Sequence, residues 1–217
     1  MNSLFEPLRR FLNERAGELS EIPVERKEKL FQFSKSIREL RSDRNFTEIV
    51  FVCTHNSRRS QIAQMLILAC AEYKGISGIR SFSGGTEVTA FHPNSVQALS
   101  NIGFEIDTDR VADGNPKYRV SYGENLLPVT GFSKLYSDEA NPHERFIAVM
   151  VCSSADRACP MVPGAVRRVS LPYSDPKAFD DSPEAINEYI ETCKTIAREL
   201  LFVMDPFENV AGDFNGK

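Results

Sequence analysis

The chain of 217 residues contains no tryptophan and only three histidines, and no apolar run approaches the roughly 20 residues that cross a bilayer as a helix. A membrane-spanning helix is therefore not expected. A basic excess is also missing: 26 Lys and Arg stand against 30 Asp and Glu, giving a net charge of −4 and a pI of about 5.5. Bulk attraction to nucleic acid is excluded as a basis for function, so any anion must be held by local focusing. His55, His92 and His143 are scattered, and no Cys/His set has the spacing of a metal site, so neither a metal nor a bound cofactor is expected. Five cysteines are too few and too dispersed for a disulfide scaffold in a chain of this length. Near the N-terminus, Glu6, Arg9 and Arg10 stand where a secretory signal needs an apolar core, so a cytoplasmic location is expected. Thiols in such a chain serve nucleophilic chemistry, redox chemistry or core filling.

What is present centres on the run from Glu48 to Ala63. Ile49 to Val52 reads as a buried strand that delivers Cys53. Ile62, Met65, Leu66, Ala69 and Cys70 recur at helical spacing, so a helix is predicted to start between Ser57 and Ser60. Cys53 thus ends a strand in a loop, Thr54, His55, Asn56, Ser57 and Arg58, that opens onto a helix N-terminus. Unpaired amides and the helix dipole make such a loop an anion site, and the same field stabilises the thiolate, the nucleophilic form of cysteine. Arg59 can hold two oxygens of a tetrahedral oxyanion in its fork. Asn56 tolerates a positive φ that would turn loop amides inward, and Ser60 can donate its hydroxyl to the sulfur. The plain alternative is a buried structural cysteine beside an exposed basic pair.

Around this motif the chain reads as α/β. Residues 1–45 form a helical extension of two helices, with stripes Leu4, Leu8, Phe11, Leu12 and Leu30, Phe33, Ile37, Leu40 separated by a break at Ile22-Pro23. It is read as packing on the main domain in preference to recruiting a partner. A short strand over Gly78–Ser83 ends in the turn Ser83-Gly84-Gly85-Thr86, which either approaches the anion loop closely or merely joins strand to helix. A helix follows from Pro93 to Ile102, where His92 at its start is more often structural than a ligand or base. Residues 105–142, punctuated by proline and glycine around Tyr118–Tyr122 and Thr130–Phe132, are predicted to form a β-hairpin-like insertion, either a rim over the site or a sheet edge. Phe146–Val151 is a second buried strand and delivers Cys152. Arg167–Leu171 is a shorter one leading to Asp175-Pro176, and a helix from Pro183 to Val203 closes a main domain over 46–204. A disordered tail is expected after Asp205. Strands alternating with helices imply a three-layer sandwich: a four-stranded parallel sheet with helices on both faces. Its ligand edge would gather Cys53, Cys152 and Asp175.

The cysteines divide into two groups. Cys70 and Cys193 fall on the apolar sides of their helices and read as core. Cys152 and Cys159, with six residues between them, place one thiol at a strand end and the other about two turns further along a short polar helix. A disulfide between them requires that segment to distort, because bridged Cα atoms lie within about 7 Å.

The segment Cys53-Thr-His-Asn-Ser-Arg-Arg59-Ser60 resembles the phosphate-binding loop of the low-molecular-weight protein tyrosine phosphatase superfamily, which includes thioredoxin-coupled arsenate reductases. The resemblance covers roughly Phe46 to Val203. It implies that Asp175, followed by Pro176, is the general acid that protonates a leaving oxygen. Cys-x6-Cys-Pro at Cys152, Cys159 and Pro160, with Asp156 between, resembles the redox pair of the arsenate reductases. That likeness implies a relay in which Cys53 attacks arsenate, Cys152 attacks Cys53, and Cys159 attacks Cys152. The product would be a Cys152–Cys159 disulfide reduced by thioredoxin as an external partner. Two places depart from the phosphatases: Arg58 stands where many carry a second cysteine, and the segment Lys177-Ala-Phe179 replaces the tyrosines that commonly follow Asp-Pro. Three functions stay open on the sequence. They are arsenate reduction, hydrolysis of phosphomonoesters through a Cys53 phospho-enzyme, and oxyanion or redox sensing without turnover.

Overall fold

The computed structural model describes residues 3–109, 114–159 and 161–205. The expected tail beyond Asp205, and Pro160 of the cysteine-pair motif, lie outside the described residues. Helices α1 (Glu6–Ala16) and α2 (Val24–Arg44) come first, each with a proline at its start and a 3-10 turn between them. Pro7 and Pro23 supply a fixed φ where no helical N–H is needed. Asn45 ends α2 at φ +61°, a left-handed cap that asparagine tolerates. Then follow β1 (Thr47–Cys53), α3 (Arg59–Tyr73), β2 (Ile79–Gly85) and α4 (Pro93–Asn101). The small strands β3 (Glu105–Asp109), β4 (Lys117–Ser121) and β5 (Val129–Gly131) come next, before β6 (Phe146–Met150), α5 (Ser153–Ala158), β7 (Ala165–Ser170) and α6 (Ala185–Val203).

The main sheet has the order β2-β1-β6-β7, with every neighbouring pair parallel. Ile49 to Cys53 on β1 and all of β6 are buried. Successive strand residues face opposite sides, so burial of every one means that helices cover both faces, as the sequence predicts. β1 is central, and Phe51 on it meets Phe33 of α2 edge-on at 6.4 Å.

The N-terminal helices are part of this core. Leu8, Leu12, Leu30 and Phe33 are fully buried in the same cluster as the strands. Arg26 of α2 places Nε and Nη2 on the two carboxylate oxygens of Glu199 in α6, each at 2.7 Å, and its guanidinium lies 5.0 Å from the Tyr173 ring centroid. Breaking one side of a pair so nearly buried leaves an uncompensated charge. Glu199→Gln is expected to destabilise the fold by about 3 kcal/mol, read as a lower urea midpoint at unchanged slope.

The insertion is more than a hairpin. β3, β4 and β5 form a separate antiparallel sheet in that order. The strand missed in the sequence is β3, Glu-Ile-Asp-Thr-Asp, whose acidic residues disguise it. Its register sets Asp107 opposite Arg119, and opposite charges across an antiparallel pair are favourable. The N-terminus is tied to the same insertion, since Phe5 N donates to Tyr122 O at 3.2 Å and Glu124 N to Ser3 O at 2.7 Å.

Candidate active site

β1 carries Cys53 to the carboxyl edge of the sheet, and the chain loops through Thr54–Arg58 into α3. No side chain caps the start of α3, so its first-turn amides are open to an anion. Asn56 has φ +47°, the left-handed conformation anticipated from its residue type. Its side chain is fixed by its surroundings: Oδ1 accepts from Lys134 N at 3.0 Å and Gln61 Nε2 at 3.2 Å, while Nδ2 donates to Ser60 Oγ at 2.9 Å. Ser60 Oγ lies 3.0 Å from Cys53 Sγ. Either atom of that pair can donate, and when Cys53 is a thiolate, which only accepts, the Ser60 hydroxyl is the donor. A chain Asn56→Ser60→Cys53 therefore delivers a hydrogen bond to the nucleophile in its thiolate form. All three residues are buried.

The loop is braced from behind by segments whose role the sequence left open. Thr86 N donates to Cys53 O at 3.3 Å and Glu87 N to Thr54 O at 2.9 Å. A Cβ on Gly85 would stand 2.6 Å from Thr54 O and 2.9 Å from Asn56 N, so the glycine turn is a close approach to the loop. On Gly84 a Cβ would stand 2.3 Å from Tyr136 Cα, because the chain after β5 runs alongside. That segment supplies further bonds: Ser133 Oγ to His55 O at 2.8 Å, and Lys134 O accepting from Gly85 N at 2.8 Å. Gln61 Nε2 also donates to Phe132 O at 2.7 Å. The insertion is thus a buttress under the loop. Lys134 itself is buried, which lowers its ammonium pKa to about 8.

Cys53, Thr54, His55, Ser57, Arg58 and Arg59 line one cavity of about 250 Å³ together with Asp175, and Ser154 and Lys177, which sequence reasoning did not place there, join them. Arg59 donates from Nη1 to Tyr173 O at 2.9 Å and from Nη2 to Asp175 Oδ2 at 2.5 Å. Asp175 Oδ1 accepts from Lys177 N at 3.1 Å and so caps the 3-10 turn Pro176–Phe179. The carboxyl group is held at the mouth, partly exposed, facing the arginine fork. Arg58 lines the same cavity but is tied to residues from beyond the loop. Its guanidinium is taken by Tyr189 OH, at 2.5 Å, and by Asp180. Burial alone would raise the Asp180 carboxyl, but the bonds from Tyr189 and Arg58 outweigh it and hold it below the usual carboxylate range. His92 joins this cluster, stacked on Tyr189, and caps α4 through Nδ1, which accepts from Asn94 N at 3.2 Å. Burial, then the nearby Arg58 charge, lower its pKa. The cluster fastens the Asp175 segment to the anion loop.

β6 lies beside β1 in register Val52↔Met150, and Val151 N donates to Val52 O at 2.9 Å. Cys152 therefore emerges next to the anion loop, with Sγ 3.6 Å from Thr54 Oγ1. Its sulfur caps α5, accepting from Ala155 N at 3.3 Å, and Cys159 is the C-cap of the same helix, half-buried. All five cysteines are free thiols. Cys70 and Cys193 are fully buried, and burial pushes both thiols well up, away from reactivity.

Comparison with known proteins agrees with this arrangement. The sequence profile of the low molecular weight phosphotyrosine protein phosphatase family matches residues 48–115. An arsenate reductase of Brevibacillus brevis is 31% identical over 132 residues, 61% of this chain and 78% of that protein. Arsenate reductase 2 of Staphylococcus epidermidis is 27% identical over 154 residues, 68% of this chain and 95% of that protein. In fold alone, the low molecular weight protein tyrosine phosphatase of T. tengcongensis superposes with a TM-score of 0.50 at 15% identity, covering 73% of this chain and 97% of its own. The chain belongs to the low-molecular-weight protein tyrosine phosphatase superfamily and is a cysteine-dependent enzyme. No helix among the described residues is long and apolar enough to cross a membrane.

Proposed function

We propose that this enzyme reduces arsenate to arsenite through a relay of three thiols, Cys53, Cys152 and Cys159, and hands the resulting disulfide to an external dithiol protein such as thioredoxin. In the first step the Cys53 thiolate displaces water from arsenate held by the loop amides and Arg59, and Asp175 supplies the proton that the departing oxygen needs. The Cys152 thiolate then attacks Cys53 Sγ. The S–As bond breaks, its electron pair stays on arsenic, and arsenic leaves as arsenite. Finally the Cys159 thiolate attacks Cys152 Sγ, which releases Cys53 as a thiolate and leaves a Cys152–Cys159 disulfide. Two thiols lose two electrons, arsenic gains two, and one water is released.

The observation that carries this reading is the position of Cys152, on the strand adjacent to that of Cys53 and within 3.6 Å of Thr54, the residue after the nucleophile. A hydrolytic phosphatase needs only Cys53, Arg59 and Asp175. A second thiol at the loop and a third at the far end of the same six-residue helix have no task in hydrolysis. Phosphomonoester hydrolysis is the second reading, favoured by the complete nucleophile–arginine–acid set, and the two activities can share one site. Paired assays separate them: arsenate with thioredoxin, thioredoxin reductase and NADPH, against p-nitrophenyl phosphate. NADPH oxidation dependent on arsenate is expected. Hydrolysis without it would leave the phosphatase standing alone.

A further inference from the structure

The helix between the two redox cysteines is fastened to the sheet by side chains that belong to neither cysteine nor the anion loop. Arg168 on β7 donates from Nε to Cys159 O at 3.1 Å, and from Nη2 to Asp156 O at 2.7 Å and Asp156 Oδ1 at 2.6 Å. Ser170 on the same strand donates to the other Asp156 oxygen at 2.7 Å. One guanidinium thus satisfies two carbonyls at the carboxyl end of α5, where a cation is favoured by the helix dipole, and pairs with a side chain inside the helix. β7 is held in turn by its register with β6, Ala148↔Arg168 and Met150↔Ser170.

The geometry of the helix conflicts with the disulfide. Cys152 and Cys159 are the two caps of α5, and seven helical rises put their Cα atoms about 10 Å apart. A disulfide needs them within about 7 Å. The last turn of α5 must therefore open when the bond forms, and both carbonyls that Arg168 holds lie in it. Resting on the relay reading above, we propose that Arg168 and Ser170, through Asp156, form a latch that holds the dithiol form of α5 and must release for the Cys152–Cys159 disulfide to close. They are positioning residues that set the redox equilibrium of the pair. The latch keeps the disulfide easily reduced, so the external dithiol can regenerate the enzyme.

The test is a redox titration of full-length protein carrying Cys53→Ser, so that only the Cys152/Cys159 pair exchanges at this edge. The protein is equilibrated with oxidised and reduced dithiothreitol, quenched with acid, alkylated and mapped by mass spectrometry. In the exchange two thiols pass two electrons and two protons to the cyclic disulfide of the reagent, whose S–S bond breaks as that of the protein forms. Arg168→Gln is expected to shift the equilibrium toward the protein disulfide by about tenfold, which corresponds to about 30 mV. Ser170→Ala should shift it the same way by less, and Arg168→Lys should fall between wild type and Arg168→Gln. With Cys53 intact, p-nitrophenyl phosphate hydrolysis should be unchanged in all three, which also reports on folding. An unchanged or opposite equilibrium in both Arg168→Gln and Ser170→Ala overturns the latch while leaving the relay in place. If the Cys53→Ser protein forms no Cys152–Cys159 disulfide at all, the relay falls and the latch with it.

Discussion

Cys152→Ser is expected to lower arsenate turnover at least about a thousandfold while leaving p-nitrophenyl phosphate hydrolysis within about threefold of wild type. The first effect follows from chemistry: a hydroxyl cannot attack a sulfur bonded to arsenic, and without that attack the adduct has no route to arsenite. The second follows from structure. The sulfur of Cys152 accepts from Ala155 N at the start of α5, and serine is a favoured residue at that cap, so the helix and the neighbouring loop are retained. Thr54 Oγ1, 3.6 Å from the sulfur, keeps a polar neighbour. Steady-state rates with both substrates measure the split. Parallel loss of the two activities would show that Cys152 serves the loop's structure and not electron transfer.

Arg59→Lys should cost both activities about a hundredfold to a thousandfold in kcat. The fork of Arg59 reaches two different acceptors at once, Tyr173 O through Nη1 and Asp175 Oδ2 through Nη2. A single ammonium keeps the charge but cannot span two oxygens of a tetrahedral oxyanion in fixed geometry. Because substrate charge is still attracted, the loss should fall mainly on kcat, with KM changing little. A change in KM alone would place Arg59 in ground-state binding. Arg58→Lys provides the contrast, since its guanidinium is committed to Tyr189 and Asp180.

The parallel sheet was legible because buried parallel strands advertise themselves: Ile49–Val52 and Phe146–Val151 are unbroken apolar runs, each ending in a cysteine. Cys53 was legible for the same reason, and Asn56 by its tolerance of a positive φ. The tertiary contacts were not. Arg58 and Arg59 are adjacent basic residues in sequence, and only the structure shows that the first is bonded to Asp180 and Tyr189, more than 120 positions away. The insertion showed its turns but not its place, because the bonds from Ser133 and Lys134 to the anion loop involve side-chain hydroxyl and backbone groups that carry no periodicity. β3 was hidden by its acidic residues, whose cross-strand partners sit in a different segment. The nearest thing to a signal was Gly84-Gly85 itself: two consecutive glycines at a strand end mark a place where two backbones come within Cβ distance.

The measurement closest to the central claim is a single turnover with stoichiometric arsenate and no reductant, quenched with acid, alkylated and mapped by mass spectrometry. The relay predicts one arsenite per enzyme, a disulfide joining Cys152 and Cys159, and alkylated Cys53, Cys70 and Cys193. Arsenite formed with Cys152 and Cys159 both alkylated would contradict it.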